Sequence, residues 1–199
     1  GFRLGQNLRP GGFVEGGGNI CAVVGDTLYF YHSGCRGDMD GALRPDGSVN
    51  FGSMYDPNAI GLSTLRRDGF ASLNAGASTG TVTTRPVVFS GARLFVNADC
   101  PQGELRAEVL DGAGRPVEPF TLGNCIPLSA DKTLAPLAWT GAADLAPLAG
   151  KPVRFRFALR RGALYAFWVS RDASGRSDGY VAGGGPGFTG PADTVGDRK

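Results

Sequence analysis

Polar and apolar residues alternate along several short runs in the second half of the chain. The clearest runs are Glu104 to Leu110 and Val153 to Leu159, where apolar side chains recur at every second position. A period of two is typical of a β-strand with one face buried and the other in water. We therefore predict an all-β fold for this half of the chain.

Six strands are predicted after residue 80, and their apolar faces need a second sheet to cover them. We therefore predict an antiparallel, jelly-roll-like β-sandwich over residues 78–172. Arg160-Arg161-Gly162 predicts a hairpin turn between the last two strands, and Asp144 to Leu148 predicts one helical turn. The six predicted strands span 81–89, 92–98, 104–110, 135–139, 153–159 and 164–170.

The first part of the chain has fewer regular runs. We predict loop for residues 1–18, then a hairpin of 20–24 and 27–32 around Gly25-Asp26, because β-prone runs flank a tight polar turn. Residues 34–58 predict a long loop, and 60–65 a further strand. The predicted organisation is a hairpin or propeller-blade-like segment over 1–72, the sandwich, and a Gly/Pro-rich tail over 173–199.

Composition excludes several classes of protein. Glycine supplies 33 of 199 residues without a fixed period, which excludes collagen, and 42% hydrophobic residues exclude a disordered chain. The net charge is +2, and the basic residues are scattered, so we predict no nucleic-acid partner. The longest apolar runs are too short to span a bilayer, so we predict no membrane contact either.

Four cysteines, at positions 21, 35, 100 and 125, form no Cys-x-x-Cys pair. An even number is consistent with two disulfides in an oxidising compartment, and the simplest pairing is Cys21–Cys35 with Cys100–Cys125. Buried thiols are the equally weighted alternative. We predict an extracellular or periplasmic protein.

The chain offers few residues for catalysis. His32 is the only histidine, which disfavours a nucleophilic triad. Acidic residues near Asp38 lack the full calcium-loop pattern, so we predict no metal site and no cofactor. Glycoside hydrolysis needs two carboxylates, but in the first part of the chain turn and loop roles are the preferred interpretation. The carboxylates considered are Glu15, Asp38, Asp40, Asp56 and Asp68.

Two segments carry a resemblance to a known group of proteins. The first is Asn19 to Tyr31, and the second is Ile60 to Phe70, which contains the pattern Gly-Leu-x-x-Leu-Arg-Arg-Asp-Gly-Phe. They resemble the last blade of five-bladed β-propeller glycoside hydrolases of families 32 and 43, the β-fructosidase and arabinanase relatives. In such proteins a β-sandwich follows, and residues 81–170 resemble it. The resemblance spans about residues 13–170.

The resemblance implies that the catalytic carboxylates belong to earlier blades. Ser53 to Asn58 contains the Asp-Pro-Asn of the family's nucleophile motif, but it stands in the last blade and lacks the following aromatic run. We therefore interpret Asp56 as a turn residue and assign no catalytic residue. Side chains near the propeller mouth are the candidates for substrate binding, namely Glu15, His32, Arg36 and Asp38.

Three hypotheses for function follow. The first is the C-terminal part of a glycoside-hydrolase-like protein, completed by further sequence or another chain and bound to oligo- or polysaccharide. We also expect a processed or truncated product, because Gly1 is not preceded by methionine. The second is a carbohydrate-binding module using Trp139, Trp168 and Tyr165, although core packing is the preferred interpretation of these rings. The third is a structural or adhesive β-domain.

Overall fold

The computed structural model describes residues 13–16, 21–35, 45–47, 58–181, 183–186, 188 and 190–193. Two compact units are present. The first contains residues 1–67 and 181–186, and the second contains 68–180 and 187–199. Every pairing between two of the described strands is antiparallel, which confirms the all-β prediction. The described strands are β1 Phe13–Gly16, β2 Ala22–Val24, β3 Thr27–Cys35, β4 Asn58–Arg66, β5 Leu73–Ala75, β6 Gly80–Thr83, β7 Arg93–Asp99, β8 Glu104–Leu110, β9 Asp131–Leu137, β10 Arg154–Arg160 and β11 Gly162–Ser170.

Strand β3 is the centre of the sheet in the first unit. β4 pairs with β3 along its whole length, from Thr27 opposite Arg66 to Cys35 opposite Asn58. The other edge of β3 is shared by β2 and β1, which pair with its beginning and its end. The predicted hairpin is confirmed, because Val24 pairs with Thr27 across a turn in which Gly25 has φ +58°.

Strand β1 corrects the prediction of loop over residues 1–18. Phe13 to Gly16 form a strand that pairs with His32 to Cys35 of β3. The run is only four residues long and runs into glycines, so it has no readable period. The backbone of β3 provides the hydrogen-bond partners that make it a strand, and local sequence has little influence on this.

The second unit contains two sheets, and consecutive strands alternate between them. The four-stranded sheet has the order β5-β11-β7-β9, and the three-stranded sheet has the order β6-β10-β8. Both sheets contribute to one apolar core, in which the rings of Phe157 on β10 and Phe167 on β11 lie 5.0 Å apart. A jelly-roll-like sandwich remains our interpretation of this topology.

The turn at Arg160-Arg161-Gly162 does not make a hairpin, so that prediction is wrong. β10 pairs with β6 and β8, whereas β11 pairs with β5 and β7. Arg161, with φ +48°, is the single residue between them. Its left-handed backbone turns the chain from one sheet into the other.

Two further elements differ from the predictions. The strand predicted over 81–89 ends at Thr83 and continues only as an isolated bridge between Val87 and Val153. Pro86 interrupts it because proline has no N–H for the ladder. A short 3-10 helix, Ala146–Leu148, occupies the predicted helical turn.

The described cysteines do not form the predicted disulfides. Cys100 and Cys125 are buried thiols, and Cys21 is also not disulfide-bonded. Cys21 precedes β2, whose Ala22 pairs with Tyr29 of β3, so this register places Cys21 opposite Phe30, five residues before Cys35. At about 3.3 Å per residue this separates the backbones of Cys21 and Cys35 by roughly 17 Å, beyond the ~7 Å limit for a disulfide. The alternative of buried thiols therefore holds for Cys100 and Cys125.

Candidate functional site

His32 is the candidate residue whose surroundings the structure describes most fully. It lies on β3 between Gly16 of β1 and Gly61 of β4. Its imidazole covers the Cα of Gly61 so closely that a Cβ there would collide with Nε2. His32 is half-buried. The ring therefore fills the space that the absent side chain of Gly61 leaves open, which is a packing role.

The other candidate residues are not brought together with His32 in the described part of the chain. Glu15 belongs to β1 at the register position opposite Ser33, in the row next to that of His32. Nothing is described of its side chain. Arg36, Asp38 and Asp56 lie outside the described residues. Their predicted roles stay predictions.

The sheet of the first unit carries apolar residues on both of its faces. On one face Val23 and Leu28 are buried, with 5% and 4% of their surfaces exposed. On the opposite face Tyr31 pairs with Leu62, and Ser33 pairs with Ile60. We call this second face the open face, because large apolar side chains on it are solvent-exposed: Val24 at 43%, Tyr31 at 58%, Ile60 at 85% and Leu62 at 49%.

The two tryptophans proposed as sugar platforms have structural roles. Trp139 is buried, its Nε1–H donates to the Ala107 carbonyl at 2.9 Å, and its ring packs edge-on against Phe120. Trp168 stacks on Phe95 with ring centroids 6.0 Å apart and donates to the Gly175 carbonyl at 2.8 Å. The preferred interpretation of core packing is confirmed for Trp139. Neither indole presents a free polar edge.

An apolar pocket of about 240 Å³ opens beside β11 in the second unit. Leu73 of β5, Phe157 of β10 and Phe167 of β11 line it. The pairing of β11 with β7 shifts between Leu164 and Ala166, so Tyr165, which also lines the pocket, sits at a β-bulge. Sugar hydroxyls need convergent polar groups. This lining is mostly apolar, so the pocket is a poor sugar site.

The outer face of the three-stranded sheet carries a network of charged side chains. We call it the arginine face, and it is made by Arg106 of β8 with Arg154, Arg156 and Arg160 of β10. Arg156 Nη1 lies 2.8 Å from Oε1 of Glu108, a carboxylate with only 6% of its side chain exposed. The carboxylate of Glu104 lies 3.5 Å from Nε of Arg106 and 3.8 Å from Nη2 of Arg160.

The carboxylates of the arginine face do not form a hydrolytic pair. Glu104 and Glu108 lie four residues apart on the same face of β8. Strand geometry separates them by roughly 13 Å, whereas glycosidase carboxylates lie about 5 to 9.5 Å apart. Among the described residues, no group of three or more His, Cys, Asp or Glu side chains is arranged to hold a metal ion.

The arginine face is not among the sites predicted from the sequence, although the sequence contains a signal for it. The run Arg154-Phe155-Arg156-Phe157 predicts, by its alternation, a strand with one buried face. Its polar positions carry arginine repeatedly, which indicates a charged face as well as a strand. Recognising the face also required the register with β8, which the sequence of β10 does not contain.

The fold and the arrangement of side chains describe a two-unit, all-β protein. No protein-family profile, curated protein or solved structure matches the chain. Within the described residues, no helix has the length and apolar character needed to cross a bilayer.

Proposed function

We propose that this chain is the C-terminal, non-catalytic part of a glycoside-hydrolase-like protein. In this proposal the sheet of β1 to β4 is a blade of a larger propeller, and the second unit supports it. The catalytic carboxylates belong to other blades or to another chain. The protein acts on oligo- or polysaccharide outside the cytoplasm.

The open face is the observation that carries the proposal. A sheet that ends a domain exposes polar residues on its outer face, whereas a propeller blade packs against a neighbour on each face. Tyr31, Ile60 and Leu62 form a contiguous apolar stripe across β3 and β4. Such a stripe in water marks a surface that another structure covers. A neighbouring blade is a partner of the right shape and chemistry.

The arrangement of the carboxylates is consistent with a supporting role. Besides Glu104 and Glu108, Asp111 and Asp178 of the second unit face Arg115 and Arg171. The backbone N–H and the guanidinium of Arg115 lower the pKa of the Asp111 carboxyl, which makes it a poor general acid. The burial of Trp139 and the packing of Trp168 give no specific support to the alternative of a carbohydrate-binding module with these platforms.

The first test compares hydrolysis by this chain with hydrolysis by the complete product of its gene, on fructan and arabinan. We expect hydrolysis by the complete product and none by residues 1–199 alone. Hydrolysis by the isolated chain would show that it contains its own catalytic pair and would refute the proposal. A complete product with no sequence and no partner beyond these residues would refute it as well.

The second test concerns the open face. Threonine is β-branched and favours strands, so the double substitution Ile60→Thr and Leu62→Thr keeps the strand propensity of β4 but removes apolar surface. We expect it to lower the unfolding temperature of the complete protein by several degrees and to leave that of the isolated chain unchanged. Ile126→Thr is the matched control, because Ile126 is 55% exposed in the second unit. This control is expected to change neither form.

A further inference from the structure

The arginine face is a charged surface that the proposed function does not use. It lies on the outer side of β6, β10 and β8, opposite to the core residues Phe155 and Phe157. Four arginines share this face with two glutamates, so positive charge is in excess. Two of these arginine side chains are partly exposed to solvent, Arg156 with 36% and Arg160 with 40% of its side-chain surface.

Three of the four guanidinium groups of this face, those of Arg106, Arg154 and Arg156, are held by hydrogen bonds. Arg156 donates from Nη1 to Glu108 and from Nε to Thr83 Oγ1 at 3.3 Å. Glu108 is itself fixed, because its second oxygen accepts from the Leu122 N–H at 3.4 Å. Arg154 donates from Nη1 to the Thr84 carbonyl at 3.0 Å. A group already held in one geometry loses less conformational entropy when it binds a ligand.

These arginines also retain unused donors. A guanidinium has five N–H groups, and with the described residues Arg156 uses two of them, Nε–H and one Nη1 hydrogen. In the part of the chain that the structure describes, the Nη2 groups of Arg154 and Arg156 have no protein acceptor. Among the described residues, the guanidinium of Arg160 has one charged partner, Glu104, at 3.8 Å, which is longer than a hydrogen bond.

We propose that the arginine face binds an acidic polysaccharide through its carboxylate or sulfate groups. The planar guanidinium fork fits such anions with two parallel hydrogen bonds. Arg154 and Arg156 are two residues apart on β10, about 7 Å along the strand, and Arg106 lies opposite Ala158 between Arg156 and Arg160. Several anionic groups of one polymer can therefore bind at once, which multiplies weak affinities.

A polysaccharide fits this face better than a nucleic acid does. Single-stranded nucleic acids bind on aromatic side chains that stack with the bases. The outward positions of β6 and β10 are threonine, arginine and alanine, with no aromatic ring. The choice of a carbohydrate also rests on the proposed function. The binding test below needs no catalysis, so its failure is distinguishable from the failure of that proposal.

The experiment measures binding of the whole chain to polygalacturonate, dextran sulfate and neutral dextran by affinity electrophoresis and calorimetry. We expect binding to one or both anionic polymers, weaker at high salt, and none to neutral dextran. Preference for polygalacturonate assigns carboxylate as the ligand group, and preference for dextran sulfate assigns sulfate. Equal binding to neutral dextran, or no binding to either anionic polymer, overturns the proposal.

The test variant is Arg154→Gln with Arg160→Gln, which preserves the pair of Arg156 and Glu108. We expect affinity for the preferred polymer to fall at least tenfold. The control is Arg93→Gln with Arg171→Gln, which removes the same charge at two exposed positions, one on β7 and one directly after β11. Unchanged binding by the test variant, or an equal loss in the control, overturns the proposal. Tighter binding of the wild-type chain to an oligonucleotide than to either polymer also overturns the proposal. Thermal unfolding is used to confirm that both variants fold.

Discussion

The two units of this protein differ in how their strands bury apolar residues. In the second unit, both sheets place side chains such as Val96 and Phe155 in one core, where neither retains accessible surface. In the first unit, Val23 and Leu28 are buried on one face of the sheet, while Ile60 and Leu62 on the other face are exposed. The sequence of each strand is similarly apolar. Whether an apolar residue is buried therefore depends on whether a second layer covers its face of the sheet.

This difference separates two reasons for a strand to be apolar. A residue such as Phe157 contributes to the stability of its own unit, because removing it would leave a cavity. A residue such as Tyr31, 58% exposed, contributes little to a unit that leaves it in water. The same hydrophobicity then indicates core in one unit and a surface for association in the other.

The largest expected effect contrasts Phe155→Ala with Tyr31→Ala. Phe155 is fully buried and packs against Phe89 and Phe167. Its truncation should reduce the free energy of unfolding of the second unit by about 3 to 5 kcal/mol, and Tyr31→Ala should change stability by less than about 0.5 kcal/mol. Urea unfolding measures both: tryptophan fluorescence reports on the second unit, which holds both tryptophans, and circular dichroism on the whole chain. A large loss for Tyr31→Ala would contradict the comparison.

A smaller effect is expected for Gly162→Ala at the beginning of β11. A Cβ on Gly162 would lie 2.6 Å from the Asp99 carbonyl oxygen and 2.5 Å from the Cβ of Cys100. The ladder between β11 and β7 would have to shift, so we expect a loss of about 1 to 3 kcal/mol in urea unfolding. Gly76→Ala is the matched control, since nothing lies within 4 Å of its added Cβ. Similar losses in both variants would show that β11 is not tightly packed there.

The smallest effect concerns the pH dependence of the second unit. Burial raises the pKa of Cys100 and of Cys125 above the ordinary 9.0. In the unfolded chain these thiols ionise first, so rising pH favours the unfolded state. Their contribution to stability is complete below pH 9 and is lost as pH rises through the folded values.

Urea unfolding at pH 7 and pH 10 measures this effect. We expect a larger fall in the free energy of unfolding for the wild-type chain than for the variant with Cys100→Ser and Cys125→Ser. Both thiols and both tryptophans belong to the second unit, so tryptophan fluorescence should detect the change. Identical pH dependence in both proteins would contradict the assignment of these cysteines as buried thiols.

Much of the fold could be predicted because the strands of the core carry their own period. β8 was predicted at its observed boundaries, and β10 within one residue at each end. β1 and β5 could not be predicted, because three or four residues show no period and depend on partners distant in sequence. The same reason explains the false hairpin after β10. The sequence indicates a turn at Arg161. After the turn, however, β11 pairs with β7, and no local pattern encodes which strand it pairs with.

The functional surface was less accessible to prediction than the fold. His32 was singled out by residue type, and the structure gives it a packing contact with Gly61. The arginine face arises where residues from β8 and β10 meet in register, as Arg156 does with Glu108. Such a site is a property of strand pairing. A single sequence therefore shows its parts without showing that they meet.

The alternation of consecutive strands between the two sheets has a consequence for the order of folding. Leu73 of β5 pairs with Leu164, and Val82 of β6 pairs with Phe157, so both strands await the C-terminal end of their unit. On the ribosome, the three-stranded sheet cannot form until β10 has left the exit tunnel, and the four-stranded sheet cannot form until β11 has left it. During most of its own synthesis, the second unit therefore has its future core residues exposed to water. High contact order of this kind slows folding and exposes the nascent protein to chaperones and aggregation.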